Sequence, residues 1–323
     1  MKAIQYRSYG GPEALEFCEV EEPKVGPDWV KVAVRASSVN PVDWKLASGG
    51  LDGALDVFFP VTPGWDFAGV VEEVGLAVTE LAVGDEVFGY ARKDAVRGGT
   101  YAEKVSAPIR TLTHKPANMS FAQAASIPLA GLTAYQSLVH RLQVGEGDTV
   151  LIHAAAGGVG SFAVQIAVAQ GARVIGTASE DNHDYVRGLG GEPITYGDGL
   201  ADRVRQLAPA GVDAIFDTIG GETLALSGGL LADDAAGRLV SIADPGVREL
   251  GGTYVFVRPD VDDLKALADL AQEGKLTVEI AASYPLSEAA RAWEACMGGH
   301  PRGNIVLTVD LLALSGLGEV ARG

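Results

Sequence analysis

Cysteine is almost absent: the 323 residues contain only Cys18 and Cys296. Two cysteines so far apart support neither a disulfide framework nor a cysteine-rich zinc lobe. A reducing cytoplasm is the expected compartment. Long apolar runs are missing too. No stretch approaches the roughly 18 residues of a membrane-spanning helix, and residues 1–10 carry no apolar signal core. Positive charge is scarce: 25 Lys and Arg stand against 42 Asp and Glu, a formal net charge of −17. A field of that sign repels phosphate backbones and anionic lipid, so neither nucleic acid nor a membrane is an expected partner. Internal repeats and low-complexity tracts are also lacking.

Glycine is abundant, with 42 residues, roughly double the average share. Hydrophobic residues at 47% and charged residues at 21% are ordinary for a globular protein, which excludes disorder as the main state. The length suits about two domains.

The first third reads as short strands between turns. Residues 30–36 alternate, Lys31 and Arg35 standing among Val30, Val32 and Val34, and 67–74 is a second strand centred on Val70 and Val71. Pro63-Gly64 and Gly84-Asp85 punctuate this region, and 83–88 is a turn that opens a strand. Such spacing predicts a barrel-like β domain. At Ser120, a candidate N-cap, an Ala-rich helix is expected to begin and run to Val139. From Thr149 strands alternate with helices. Strands are expected at 149–154, 173–178, 193–196, 212–217, 238–242 and 254–257, and helices at 161–170, 184–190 and 201–207. That order implies parallel strands joined by crossover helices. After Lys275 the β pattern returns, with an amphipathic helix at 286–297 and a closing strand at 304–309. One domain inserted within another is the simplest organisation. Residues 311–323 read as a short helix or a frayed tail.

The sharpest local signal is Thr149-Val-Leu-Ile-His-Ala-Ala-Ala-Gly-Gly-Val-Gly160. An apolar strand runs into three glycines and a helix follows, the context that a dinucleotide fingerprint requires. Glycine lets the backbone approach a pyrophosphate, and the helix start offers it N–H groups and a positive dipole end. Ala155 replaces the first fingerprint glycine. An acidic residue about 20 positions on would hold the ribose of NAD. Thr177, Ala178 and Ser179 stand there instead. Ser179 favours a 2′-phosphate, hence NADP, whereas Glu180 and Asp181 would oppose one if they faced inward.

Several motifs together resemble the medium-chain dehydrogenase/reductase superfamily, in its zinc-free quinone oxidoreductase branch. They include Val39-Asn-Pro-Val-Asp-Trp-Lys45, Pro63-Gly-Trp-Asp-Phe-Ala-Gly-Val-Val71, Val83-Gly-Asp-Glu-Val87 and Gly98-Gly-Thr-Tyr-Ala-Glu103. Gly131-Leu-Thr-Ala-Tyr135, Ala154-Ala-Ala-Gly-Gly-Val-Gly160, Phe216-Asp-Thr-Ile-Gly-Gly221, Tyr284-Pro-Leu-Ser-Glu-Ala-Ala290 and Arg302-Gly-Asn-Ile-Val-Leu307 complete the set, in the family's order along nearly the whole chain. The resemblance implies an α/β fold: a Rossmann doubly wound parallel sheet, residues 123–275, inserted in a GroES-like, partly open β-barrel catalytic domain, residues 1–122 and 276–323. It implies a homodimer, NADPH as cofactor, and a small-molecule quinone, enone or enal as substrate.

Zinc alcohol dehydrogenases of this superfamily carry Cys and His where this chain has Asn40 and Lys45, and His-Glu where it has Trp65-Asp66. Zinc needs three or four converging N, S or O ligands. His114, His140, His153, His183 and His300 show no ligand spacing, so no metal is expected, and His153 reads as structural. Without a Lewis acid, hydride addition to an electron-poor alkene or quinone needs only donors at the oxygen that gains charge. By resemblance and position, Asn40 and Lys45 are the candidate catalytic residues, although Lys45 reads equally as a solvated surface lysine. Asp43 is expected to cap or pair within its loop, and Asp66 to be structural. Trp44, Tyr90 and Phe256 are candidate pocket residues. Gly157, Gly158 and Val159 would offer N–H groups to the pyrophosphate, and Ser179 and Tyr196 would meet the 2′-phosphate, with only Asn182 and His183 nearby in sequence. Thr133, Ile242 and Phe256 would lie near the nicotinamide, though each also suits ordinary packing. The alternatives are an enoyl reductase or tailoring enzyme of a biosynthetic pathway, and an NADPH-binding protein without turnover. RNA binding by such a protein is disfavoured by the charge of −17.

Overall fold

The structure, a computed structural model, describes residues 1–299 and 302–309. His300 and the expected helix or tail at 311–323 lie outside the described residues. The chain forms two compact units. One comprises Met1–Leu129, Arg258–Gln272 and the chain from Val278, and the other Ala130–Val257 with Glu273–Thr277. The second unit is therefore an insertion in the first. Joins expected at 122/123 and 275/276 differ from these mainly at the helix Val261–Gln272, which belongs to the first unit. Hydrogen bonds hold it there: Asn118 Nδ2 donates to Ala271 O at 2.8 Å and Ala117 N to Gln272 Oε1 at 3.1 Å.

The spine of the first unit is the 11-residue strand Trp29–Val39. Asp66–Val74 pairs with it along one edge, while Lys104–Pro108 takes the first half of the other edge and Asn304–Thr308 the last, all antiparallel. Glu86–Tyr90 and Leu112–His114 extend the sheet on one side, and Ile280–Pro285 on the other. The alternation read from the sequence holds at Lys31 and Arg35, both half-buried, but not at Ala33, which is buried. Val30, Val32, Val34 and Ala36 are buried, while Lys31 turns outward to Glu73 and Glu22, at 2.8 and 3.3 Å. A slip of one residue would bury Lys31 and Arg35, which disfavours any other register.

The second unit is a six-stranded parallel sheet. Its order is Glu192–Thr195, Arg173–Ala178, Thr149–Ile152, Ala214–Asp217, Leu239–Ser241 and Thr253–Tyr254. The strand order reverses at Thr149–Ile152, and the crevice at the carboxyl end of such a strand is where open α/β sheets bind ligands. Leu151, Ile175, Ile215 and Leu239 form a buried layer with Leu200, Val204 and Leu224 from the crossover helices. The expected last strand, 254–257, is shorter: only Thr253–Tyr254 pairs, and Phe256 lies beyond it.

The single helix expected from Ser120 to Val139 is three pieces: Phe121–Ala125, Pro128–Tyr135 and a π-helical turn Gln136–Arg141. Pro128 explains the first break, since it has no N–H to donate and its ring excludes the carbonyl a turn earlier. Ser120 is the N-cap as read. Its Oγ accepts from Gln123 N at 3.2 Å, and Gln123 Oε1 accepts from Ser120 N at 3.0 Å. Ser120→Ala is expected to lower unfolding free energy by about 1 kcal/mol. Urea melts of the two proteins measure this directly, and coincident curves would show that the reciprocal cap contributes nothing.

Candidate active site

In the second unit the strand Thr149–Ile152 ends in His153 and Ala154, and the helix Gly158–Ala169 starts with Gly157 as N-cap. Ala154 takes φ +51°, a left-handed conformation that costs a residue with a Cβ roughly 1 kcal/mol. The turn closes through Gly157 N, which donates to Ala154 O at 2.9 Å. Gly157 is thereby corrected as a pyrophosphate donor: its N–H is spent inside the turn. The first bond between helix turns is Ser161 N to Gly157 O. Gly158, Val159 and Gly160 precede it, so their N–H groups lie ahead of the first helical bond, at the end of a helix that favours an anion. Gly160 is required for another reason: a Cβ there would stand 2.0 Å from Ala154 O. The residues present thus fit a dinucleotide, with a bare helix start brought against the strand by a glycine that tolerates no side chain.

Thr177, where an acidic ribose ligand would stand, is buried, and its Oγ1 accepts from Ala154 N at 3.0 Å. Ser179 is half-buried and accepts from Asn182 Nδ2 at 3.0 Å. Glu180 and Asp181 are both exposed, on a 3-10 turn. Ala178 and Thr195 are register partners, so Ser179 and Tyr196 begin neighbouring loops at the same end of the sheet. Tyr196 is 59% exposed. Beside it lies a cation that sequence proximity to Ser179 did not reveal. Arg203 Nε donates to Thr195 O at 2.9 Å, and Nη2 reaches Tyr196 O and Gly197 O, each at 3.3 Å. Thr133 is buried in the helix Pro128–Tyr135, Ile242 is half-buried with its N–H on Asp217 O at 3.1 Å, and Phe256 is 46% exposed. His153 is fully buried, and burial pushes its imidazole down to about 4, against the pull of the Asp217 charge.

In the first unit Asn40 caps the helix Pro41–Ala47, with Pro41 at its first position. The loop around it is a closed set of buried polar groups. Asp43 Oδ2 accepts from Asn40 N and from Tyr101 Oη, both at 2.8 Å, and Trp293 Nε1 donates to Tyr101 Oη at 3.3 Å. Asp66 Oδ2 accepts from Asn40 Nδ2 and Oδ1 from Leu129 N, both at 2.8 Å. Asp43 therefore caps as read, and Asp66 is structural as read. Tyr101 and Trp293 were not foreseen, because partners so distant in sequence leave no local pattern. Burial raises the Asp43 carboxyl to about 7 and drives Asp66 well above the carboxylate range, the neighbouring Asp43 charge adding to the latter. Trp65, where a zinc relative has histidine, packs edge-on against Tyr90 with centroids 5.9 Å apart. Among the described residues no three His, Cys, Asp or Glu side chains are grouped to hold a metal ion.

Lys45 is exposed, its Nζ 5.6 Å from the centroid of the Trp44 ring. Trp44 is half-buried. Tyr90 is corrected as a pocket residue: it is wholly buried, and its hydroxyl is enclosed with no hydrogen-bond partner. Burial raises the Cys296 thiol to about 11, the Asp43 charge acting in the same direction, so this sulfur is no nucleophile at neutral pH.

Comparison with known proteins accords with this geometry. The family described as alcohol dehydrogenase GroES-like domain matches residues 26–117, and that described as zinc-binding dehydrogenase matches residues 190–307. The chain is 32% identical over 328 residues to the chloroplastic quinone-oxidoreductase homolog of Spinacia oleracea, covering 95% of this chain and 98% of that protein. It is 33% identical over 329 residues to the chloroplastic NADPH-dependent alkenal/one oxidoreductase of Arabidopsis thaliana, covering 95% and 79%. The structure of the quinone oxidoreductase from Coxiella burnetii is similar at a TM-score of 0.85 and 36% identity, covering 96% of this chain and 99% of that one. The chain belongs to the medium-chain dehydrogenase/reductase superfamily, in its quinone oxidoreductase-like branch, and is an oxidoreductase.

The buried carboxyls give a stability signature. Between the usual 3.8 and about 7 the folded chain keeps the Asp43 proton and the unfolded chain releases it. Stability therefore falls as pH rises through that window. Asp43→Asn retains an acceptor for Asn40 N and Tyr101 Oη but no titrating proton, so it should reduce this slope in urea unfolding across the same window. An unchanged slope would show that Asp43 ionises normally.

Proposed function

We propose that this oxidoreductase transfers hydride from NADPH to a quinone or to the C=C bond of an α,β-unsaturated carbonyl, without zinc. The observation that carries this reading is the cluster around Asn40. Asn40 and Asp66, which stand where metal-dependent relatives carry Cys and Glu, are held with Asp43, Tyr101 and Trp293 in one hydrogen-bonded set. The alkenal/one and quinone oxidoreductase relatives support the class of acceptor.

NADPH supplies the hydride when bound. Gly158 and Val159 hold its pyrophosphate with N–H groups at the positive end of their helix, and Gly157 closes the turn beneath. Ser179 and Tyr196 receive the 2′-phosphate, and Arg203 adds positive charge at the same strand end. Thr133, Ile242 and Phe256 hold the nicotinamide end. Asn40 keeps a second amide N–H after its bond to Asp66, and this hydrogen, with the charge of Lys45, stabilises the oxygen on which negative charge collects. Lys45 then donates the proton that completes reduction. Trp44 supplies an apolar wall. The edge strand Thr253–Tyr254 supports pairing into a homodimer about a two-fold axis, and the cytoplasm is the proposed compartment.

Purified chain should oxidise NADPH in the presence of a panel of quinones, enals and enones. Silence across the panel would overturn the assignment. Activity should survive dialysis against a chelator, and stoichiometric zinc by metal analysis would overturn the metal-free reading. Lys45→Ala should slow hydride transfer by about 100-fold in single-turnover measurements while NADPH affinity changes less than about twofold. A parental rate would leave Lys45 as a surface residue.

A further inference from the structure

A second polar chain, absent from the functional reading above, runs beneath the glycine turn, and its direction is determined link by link. Ser227 Oγ lies 2.6 Å from Thr223 O, and a carbonyl only accepts, so the single Ser227 hydrogen goes there. Ser227 Oγ is also 2.9 Å from His153 Nε2, and it can only accept from it, so the imidazole carries its proton on Nε2. A neutral ring with that proton has a bare Nδ1. Thr177 Oγ1, 3.4 Å from Nδ1, turns its hydrogen toward it. The lone pairs of Thr177 Oγ1 then face Ala154 N, which donates at 3.0 Å. His153 and Ser227 are 0% exposed and Thr177 is 2% exposed, so these links are closed to bulk solvent.

The chain ends on the residue that shapes the turn. Ala154 has the left-handed φ, its carbonyl closes the turn to Gly157, and its oxygen is what Gly160 must clear. Thr177 grips the turn twice, by side chain on Ala154 N and by its own carbonyl on Ala155 N at 2.9 Å. We propose that His153 is a positioning residue for dinucleotide binding: acting through the Thr177 hydroxyl, it holds Ala154 in the conformation that aims the N–H groups of Gly158 and Val159 at a pyrophosphate. An imidazolium, or the other tautomer, would present an N–H to Thr177 Oγ1, and that hydroxyl would have to turn its hydrogen away. Among the described residues the ionisable group that acts electrostatically on His153 is Asp217, whose charge favours the imidazolium and is outweighed by burial. The proposal rests on the dinucleotide reading of the site.

The test has two arms. In ¹⁵N-histidine spectra, with His153 assigned by its loss in His153→Gln, the ring should be neutral with a protonated Nε2 and a bare Nδ1 from pH 6 to 8. A protonated Nδ1 overturns the relay. This arm needs no cofactor, so it decides the relay even if a parent chain that fails to bind NADPH were to sink the proposed function. In fluorescence titrations Thr177→Val, which keeps the shape and loses the hydroxyl, should bind NADPH about tenfold more weakly, and Thr177→Ser should stay within about threefold of the parent. Adenosine 2′-monophosphate, which has no pyrophosphate, should bind Thr177→Val and the parent alike. Parental NADPH affinity in Thr177→Val, or an equal loss for both probes, would show that the hydroxyl does not act through the turn.

Discussion

One alanine in a left-handed backbone conformation governs the cofactor unit. Ala154 would relax to an ordinary strand or turn geometry if left to itself, so every neighbour that touches it acts as a restraint. Thr177 holds its N–H, Gly157 holds its carbonyl, and the missing side chain of Gly160 lets the helix come within reach of that carbonyl. Strain of this sort persists only where surrounding structure over-determines it. The strand order makes the location intelligible, because the residue follows the one strand from which the sheet grows in both directions.

The first unit solves a different electrostatic problem. Two carboxyls, Asp43 and Asp66, are buried near enough for the charge of Asp43 to act on Asp66. Such groups are tolerated when each oxygen meets donors or when the proton stays on. Both devices are present: Asn40, Tyr101 and Leu129 supply donors, and burial retains protons. The arrangement ties the Asn40 amide to one heading. A residue that would otherwise be a mobile loop asparagine becomes a fixed donor, as the role proposed for it requires.

Much of this was legible in the residues. Apolar runs bounded by glycine marked five of the six parallel strands nearly to their ends, and Ser120 announced a cap that is present. The failures have physical sources. Residues 120–139 looked like one helix because alanine dominates, and Pro128 was given too little weight as a helix start. The helix Val261–Gln272 was not foreseen, although Leu264, Leu267 and Ala271 recur at helical spacing and are all buried. Tyr90 and Gly157 were assigned outward roles that burial and a turn hydrogen bond exclude. Arg203, Tyr101 and Trp293 escaped notice because their partners are brought near by folding and not by spacing. Local chemistry is written locally; contacts between distant segments are not.

The pairing of Ala178 with Thr195 has a consequence beyond the two loops it aligns. Ser179 and Tyr196 are neighbours because two strands stop level with each other. Deleting one residue within Glu192–Thr195 would draw the second loop back by about 3.3 Å while leaving every side chain in it intact. The placing of these two loops is thus encoded in strand length as much as in residue identity, and relatives that share every loop residue can still differ in how the loops lie.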